Sequence, residues 1–369
     1  MNKLFFSLVS CFLLCLSAAL TAQTKVMDLE WKQVASGQPK EWYGSAEAVG
    51  IAENVLLYQR NVGGWPKNTP FHHPLTQSQK DDLRKLQAVG EGATTDNGAT
   101  CTELTFLSKI YERTKNERYK KAFLRGIDYL LEAQYENGGW PQFYPQRKGY
   151  YTHITYNDNS MVNIMNVIKA IAEKSAFYSI VADDATVTKA RKAFEKGVKV
   201  ILKTQYKQDG KLTVWCAQHD ETTFQPAKAR SYELPSLSGG ESPGVVLLLM
   251  GIDKPTPEIV NAVQAAVIWF DKAKIGGIRM EAFVNSDGLK DRKIVADKAA
   301  PFLWARFNEL DNNRPFFCDR DGIKKYALSE IGYERRNGYS WYTTGPQKVL
   351  DAYKKWQMKW APEKNVLSN

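Results

Sequence analysis

Trp65, Trp140 and Trp215 stand 75 residues apart, twice in succession. The first two lie in the same Gly-Gly-Trp-Pro string, and each of the three follows an apolar stretch that ends in glutamine: Leu56 to Gln59, Leu130 to Gln134, and Ile201 to Gln205. Equal spacing of a rare, bulky residue in a matched context marks an internal repeat. Between these points the apolar residues recur with helical period. Leu104, Leu107, Ile110 and Tyr111 share one face, as do Tyr119, Phe123, Ile127, Leu130 and Leu131; Val162, Met165, Ile168 and Ile171 begin another, followed by Phe194, Val198, Ile201 and Leu202. A last segment, Pro346 to Trp360, turns Val349, Leu350, Tyr353 and Trp356 inward, and strand signals are sparse. A weaker echo from Trp269 to Ile278 carries Gly276-Gly277 without the tryptophan. Helix pairs of this kind cannot bury their apolar faces alone and must stack on their neighbours. The expectation is an all-α fold, an (α/α) barrel with a groove formed by the loops along one rim.

The chain begins with Lys3, an apolar run from Leu4 to Leu20 and small residues ending at Ala22, which reads as a cleaved export signal over 1–22 and leaves a single domain over 23–369. The run is short for a membrane span and has no basic flank on its far side. Leu8-Val9-Ser10-Cys11 resembles a lipoprotein cleavage box, but cutting there would leave most of the apolar run in place. The formal net charge of +10 falls by one when Lys3 is lost. A basic exported protein suits an acidic partner such as a polyuronate, a nucleic acid or an anionic surface. No block of five Lys and Arg occurs, which argues against nucleic acid. Of five cysteines only Cys101, Cys216 and Cys318 lie beyond the signal, so at most one disulfide can form and stability must come from a large core. With four histidines and no CxxC or HExxH pairing, a zinc or haem site is not expected.

Two short segments look alike: Thr94-Thr95-Asp96-Asn97-Gly98-Ala99 and Thr155-Tyr156-Asn157-Asp158-Asn159-Ser160. Each sets an Asp-Asn pair just before an apolar helix, where such residues cap the first turn. In successive repeats they also place two carboxylates and two amide oxygens at one rim, a hard oxygen set that suits calcium. A third segment, Lys228 to Glu241, combines Arg230, Tyr232, Glu233, a proline and two glycines ahead of the apolar helix of Val245 to Met250. Lys228 and Arg230 offer positive donors to an anionic ligand, or Arg230 simply pairs with Glu233. Arg306 and Arg320, each beside Phe or Asp, carry the same two readings.

These strings together make the chain resemble the pectate lyases of polysaccharide lyase family ten. The matching stretches are Asn61 to Lys67, Thr95 to Thr100, Asn137 to Gln142, Tyr156 to Asp158, Ala229 to Ser236, and Arg306-Phe307 through Gly322, nearly the whole of 23–369. The resemblance implies an (α/α)3 toroid, Ca2+ dependence and anti β-elimination of α-1,4-linked polygalacturonate. Residue by residue it implies metal ligation around Asp96, Asn97 and Asp158, Arg230 as the proton-abstracting base, and substrate recognition by Lys228, Arg306 and Arg320. For Arg230 to act as a base, nearby positive charge and desolvation are expected to disfavour its cation. A monomer, secreted or periplasmic, is the matching expectation. Two other classes use the same residues: a hydrolase with Asp96 and Asp158 as acid and base, and a non-catalytic uronan-binding protein whose tryptophans stack on sugars.

Overall fold

The computed structural model describes residues 25–175, 179–181 and 183–367; the expected export signal lies outside them. The helices are α1 (Trp31–Gly37), α2 (Ala46–Tyr58), α3 (Gln77–Val89), α4 (Cys101–Thr114), α5 (Glu117–Glu132), α6 (Ser160–Ala172), α7 (Asp184–Thr204), α8 (Ser242–Met250), α9 (Pro257–Ala273), α10 (Tyr333–Gly338) and α11 (Gly345–Trp360). Three consecutive helix hairpins, α4 with α5, α6 with α7 and α8 with α9, form the body of the all-α fold. The helices α4, α6 and α8 stack in one row and α5, α7 and α9 in another. One end of the rows is covered by α1 and α2, the other by α11.

The tryptophan repeat is a hydrogen-bonding device. Fully buried, Trp65, Trp140 and Trp215 donate Nε1–H to the carbonyls of Val55, Leu130 and Ile201, near the ends of α2, α5 and α7. A buried indole needs a partner for its single donor, and the frayed carbonyls of a helix end supply one. The glutamine of each repeat ties the turn to the next outer helix. Gln59 Nε2 donates to Gly63 and Ala122, Gln134 to Gly138 and Ala193, and Gln205 to Thr213 and Ala262. The turns themselves require glycine. Gly63 and Gly138 have φ of +102° and +99°, and a Cβ on either would stand 2.2 Å from the carbonyl oxygen of Arg125 or Lys196.

Two expectations need correction. The fourth member of the repeat is Trp304, fully buried and donating to Phe270 at the end of α9. It is displaced from the 75-residue spacing because an antiparallel hairpin, Ile278–Val284 with Lys290–Ala296, interrupts the turn. The echo at Trp269 to Ile278 is therefore the helix end and Gly turn without their tryptophan. In α7 the buried stripe is Val187, Ala190, Ala193, Gly197, Val200 and Ile201, with Phe194, Val198 and Leu202 only half-buried beside it. Small residues hold the centre because α7 packs closely on α6: a Cβ on Gly197 would meet Met165 Sδ at 2.3 Å.

Cys101, Cys216 and Cys318 are buried free thiols. A main core runs through the helix rows, and a smaller one gathers Tyr232, Phe307, Phe316, Phe317 and Trp341 beneath the loops that carry the arginines. No helix among the described residues is long and apolar enough to cross a membrane.

Candidate active site

The backbone around each repeat tryptophan positions the rim. The carbonyls of Trp65, Trp140 and Trp215 accept from the amides of Thr94, Thr155 and Ser238, and Trp304 pairs in register with Thr343. Each of those segments leads within a few residues into an inner helix: α4, α6, α8 and α11. The rim positions thus correspond: Asp96 and Asn97 in the first repeat, Asn157 and Asp158 in the second, Glu241 in the third. Lys67 and Arg306 also correspond, each two residues past its tryptophan.

The aspartates are not helix caps. Asn97 and Asp158 both adopt left-handed backbone, φ +52° and +51°, inside single 3-10 turns, and neither α4 nor α6 receives a side-chain hydrogen bond from its N-cap residue. Asp96 is 3% exposed; its Oδ2 pairs with Lys67 while its Oδ1 is buried without a partner. Asn97 donates to Asn68 at 2.9 Å. Asp158, partly exposed, accepts from Asn157 at 2.8 Å and faces Arg306 at 3.5 Å. The two 3-10 turns touch, and Asn97 and Asp158 line one cavity of about 580 Å3.

On the other side of Asp158 the cations begin. Arg306 Nη2 donates to Asn157 Oδ1 at 3.0 Å and Glu241 Oε1 at 2.5 Å, and its guanidinium lies 4.7 Å from the Tyr339 ring centre. Burial opposes its charge, but Glu241, Tyr339 and Asp158 outweigh burial and raise its pKa. Arg230 holds Glu233 bidentately, Nε to Oε2 at 2.8 Å and Nη2 to Oε1 at 2.6 Å, and lies over Tyr232 and Tyr339. Tyr339 donates to the same Glu233 at 2.8 Å, so Arg230, Glu233, Tyr339, Arg306 and Asp158 form one continuous chain of contacts. Arg320 is exposed and pairs with Glu334, which also takes Arg335. Lys228 is exposed near Cys318.

The expectation that its surroundings disfavour the Arg230 cation is reversed. The hydrogen bonds from Glu233 raise the guanidinium pKa more than burial lowers it, because a buried carboxylate at contact distance stabilises positive charge. Glu233, Glu241, Tyr339 and Lys67 belong to the site although the sequence assigns them no role there. Glu241 is within reach of sequence reasoning once the repeat is extended to its third copy; Tyr339 lies outside the repeat and carries no comparable signal.

Which residues could hold a metal has two answers of unequal merit. His153, Asp220 and Glu221 bring ligand atoms within 4.8 Å of one another. Asp220 Oδ1, however, already accepts from Thr222 N, Thr223 N and Thr223 Oγ1, and an imidazole does not suit a hard oxygen-seeking cation. The Asp96, Asn97 and Asp158 set offers oxygen atoms, including the unpartnered Oδ1 of Asp96, and fits a calcium-like ion better.

A helical repeat fold whose rim concentrates arginines and buried carboxylates around an open groove defines a class of enzyme acting on acidic polysaccharide. The family model for pectic acid lyase matches residues 59–350, and the chain belongs to that family. Among solved structures it is similar to a family 10 polysaccharide lyase from Cellvibrio cellulosa, with TM-score 0.73 and 39% identity over 86% of this chain and 96% of that one. A mutant of that lyase in complex with trigalacturonic acid matches at TM-score 0.73 and 37% identity, over 89% of this chain and 98% of that one. No curated protein matches the chain significantly. The protein is a polysaccharide lyase and resembles pectate lyases of family ten, which sets aside the hydrolase and the non-catalytic binding protein.

Proposed function

We propose that this enzyme cleaves α-1,4-polygalacturonate by calcium-assisted anti β-elimination, releasing 4,5-unsaturated oligogalacturonates, and acts as a secreted or periplasmic monomer whose catalytic domain spans 23–369. The observation that carries the reading is the unbroken chain from Arg230 through Glu233 and Tyr339 to Arg306 and Asp158. It sets paired cations beside carboxylate and amide oxygens on one rim. The trigalacturonate bound by the Cellvibrio lyase mutant supports the choice of substrate.

In the reaction the C5 proton of a uronate leaves, its electron pair becomes the C4–C5 double bond, and the C4–O4 bond breaks with the proton count restored at the departing oxygen. Negative charge gathers on the substrate carboxylate as C5 is deprotonated, so donors aimed there lower the barrier. Arg306 is held against Asp158 and Tyr339, and Arg320 and Lys228 lie exposed; these three side chains supply donors to substrate carboxylates. Asp96, Asn97 and Asp158 would hold calcium, which when bound draws electron density from the carboxylate and acidifies the C5 proton. Arg230 takes that proton on its guanidine. Before it can do so it must lose its own proton, against the pull of Glu233, so the bidentate pair has to open as substrate carboxylates enter. That requirement implies a working range at alkaline pH.

A second reading has one observation in its favour. The Arg230–Glu233 pair is built for a permanent cation, which would stabilise the developing charge while another group removes the proton. The test of the function itself is polygalacturonate with purified protein and calcium at alkaline pH, followed by ultraviolet absorbance of the C4–C5 double bond. Absorbance should rise and a chelator should stop it; no rise with calcium present would end the elimination reading.

A further inference from the structure

A second cavity, of about 630 Å3, lies between α1, the start of α4 and the loop after Lys67. Its walls are aromatic and its polar atoms unfinished. Trp31 packs on Phe71 at 5.0 Å and on Phe106 at 5.1 Å, and lies nearly parallel to His72 at 6.0 Å. Its indole N–H donates to Glu103 Oε1 at 2.6 Å, while Glu103 Oε2, on a residue 1% exposed, has no partner. His72 is 6% exposed and neither ring nitrogen reaches a partner of hydrogen-bonding geometry, although the carbonyls of Met27 and Leu29 are near enough to favour its cation. Buried polar atoms are nearly always satisfied. Three unsatisfied ones on the walls of one cavity, beside stacked rings, point to a ligand that presents hydroxyl groups and an apolar ring face.

The charges select among such ligands. Lys67 is taken by Asp96, Lys32 is exposed, and the buried ionisable acid facing the cavity is Glu103, with Asp28 and Glu30 nearby. A uronate carboxylate would meet no free buried cation here, in contrast to the arginine side of the rim. The cavity also continues into the one that reaches Asp158, because Asn97 and Thr102 line both.

We propose that this cavity is a distal subsite for an uncharged sugar unit, such as a methyl-esterified galacturonate, of the polymer whose charged units lie at the arginines. The proposal rests on the polygalacturonate reading for the identity of the polymer, but not for the existence of the site. Calorimetric titration at pH 8 with fully methyl-esterified trigalacturonate, which carries no charge, and separately with trigalacturonate, tests it on wild type, His72→Ala and Glu103→Gln. Glu103→Gln keeps the acceptor for Trp31, and thermal melting confirms folding of each variant. Wild type should bind both oligomers, and each variant should bind the esterified one about tenfold more weakly, the loss of roughly one buried hydrogen bond. Affinity for trigalacturonate should stay within about twofold. Absence of wild-type binding to the esterified oligomer, unchanged affinity in both variants, or an equal loss for both oligomers would overturn the subsite. The ultraviolet assay on the same preparations reports separately on the elimination reading.

Discussion

Replacing Glu103 by glutamine should make the protein more stable at alkaline pH than at acidic pH, relative to wild type. Burial pushes the Glu103 carboxyl up to about 7 from its ordinary 4.5, against opposing hydrogen bonds that include the Trp31 indole. The folded state therefore keeps a proton that the unfolded chain releases between pH 4.5 and about 7. Where the folded state binds more protons, stability falls as pH rises. The loss is complete above about pH 7 and amounts to about 3 kcal/mol, since each pH unit across that window costs about 1.4 kcal/mol. Glutamine does not titrate and preserves the shape and the acceptor for Trp31. Urea unfolding of both proteins at pH 4.5, 6 and 8 should show the difference in unfolding free energy moving by about 3 kcal/mol in favour of the variant across that window. A difference constant with pH, or one moving in favour of wild type, would refute the assignment of Glu103 as a buried acid held neutral by desolvation.

Three further outcomes follow from the same geometry. Arg230→Lys should lose turnover by at least about a hundredfold while binding polygalacturonate within a few-fold of wild type, because charge stays but the bidentate guanidine geometry does not; near-normal turnover in the absorbance assay would remove Arg230 from the base role. Asp158→Ala should shift the calcium needed for half-maximal activity upward or abolish activity with the melting temperature little changed, since Asp158 caps no helix and serves as ligand; unchanged calcium dependence would remove it from the metal. Gly138→Ala should destabilise by at least about 2 kcal/mol, combining a disfavoured φ with backbone overlap, whereas Gly210→Ala, φ +78° with open space around it, should cost about 1 kcal/mol by denaturant unfolding.

What is legible in the sequence is whatever the repeat writes more than once. The tryptophan spacing discloses helix hairpins and their glycine turns because every copy solves the same problem, a buried indole donor next to a frayed helix end. The matched Asp-Asn strings disclose the rim, since both sit two or three residues past the amide that pairs with a tryptophan carbonyl. Where the repeat is interrupted, legibility ends. The hairpin from Ile278 to Ala296 carries Trp304 out of step, and with it the correspondence that makes Arg306 the counterpart of Lys67. The face of α7 is hidden for another reason: close packing on Met165 selects Ala and Gly, and hydrophobic periodicity weights large residues instead.

Glu233 is the residue that most changes how the site must be understood. From sequence, Arg230 is a candidate base that needs positive neighbours to shed its proton. In the fold, the nearest charged neighbour is a carboxylate, 5% exposed, that grips it with two hydrogen bonds and is itself fixed by Tyr339. Burial pushes the Glu233 carboxyl up, but Arg230 and Tyr339 hold it below its ordinary value, so each member of the pair stabilises the charge of the other. Such a pair is rigid and correctly aimed but chemically idle, which is a sensible resting state for a strong base. Substrate carboxylates would add negative charge beside Glu233, while a cation held by Asp96 and Asp158 would add positive charge on the opposite side of Arg306. Both changes bear on the same contact, and only their sum at the bound complex decides whether Arg230 gives up its proton. The pH–rate profile of Glu233→Gln discriminates: if Glu233 chiefly holds the base in its protonated form, the alkaline limb should shift to lower pH by about one unit or more, with a smaller maximal rate from the loosened guanidine. A loss of rate with an unmoved limb would mean that the proton leaves C5 for a group other than Arg230.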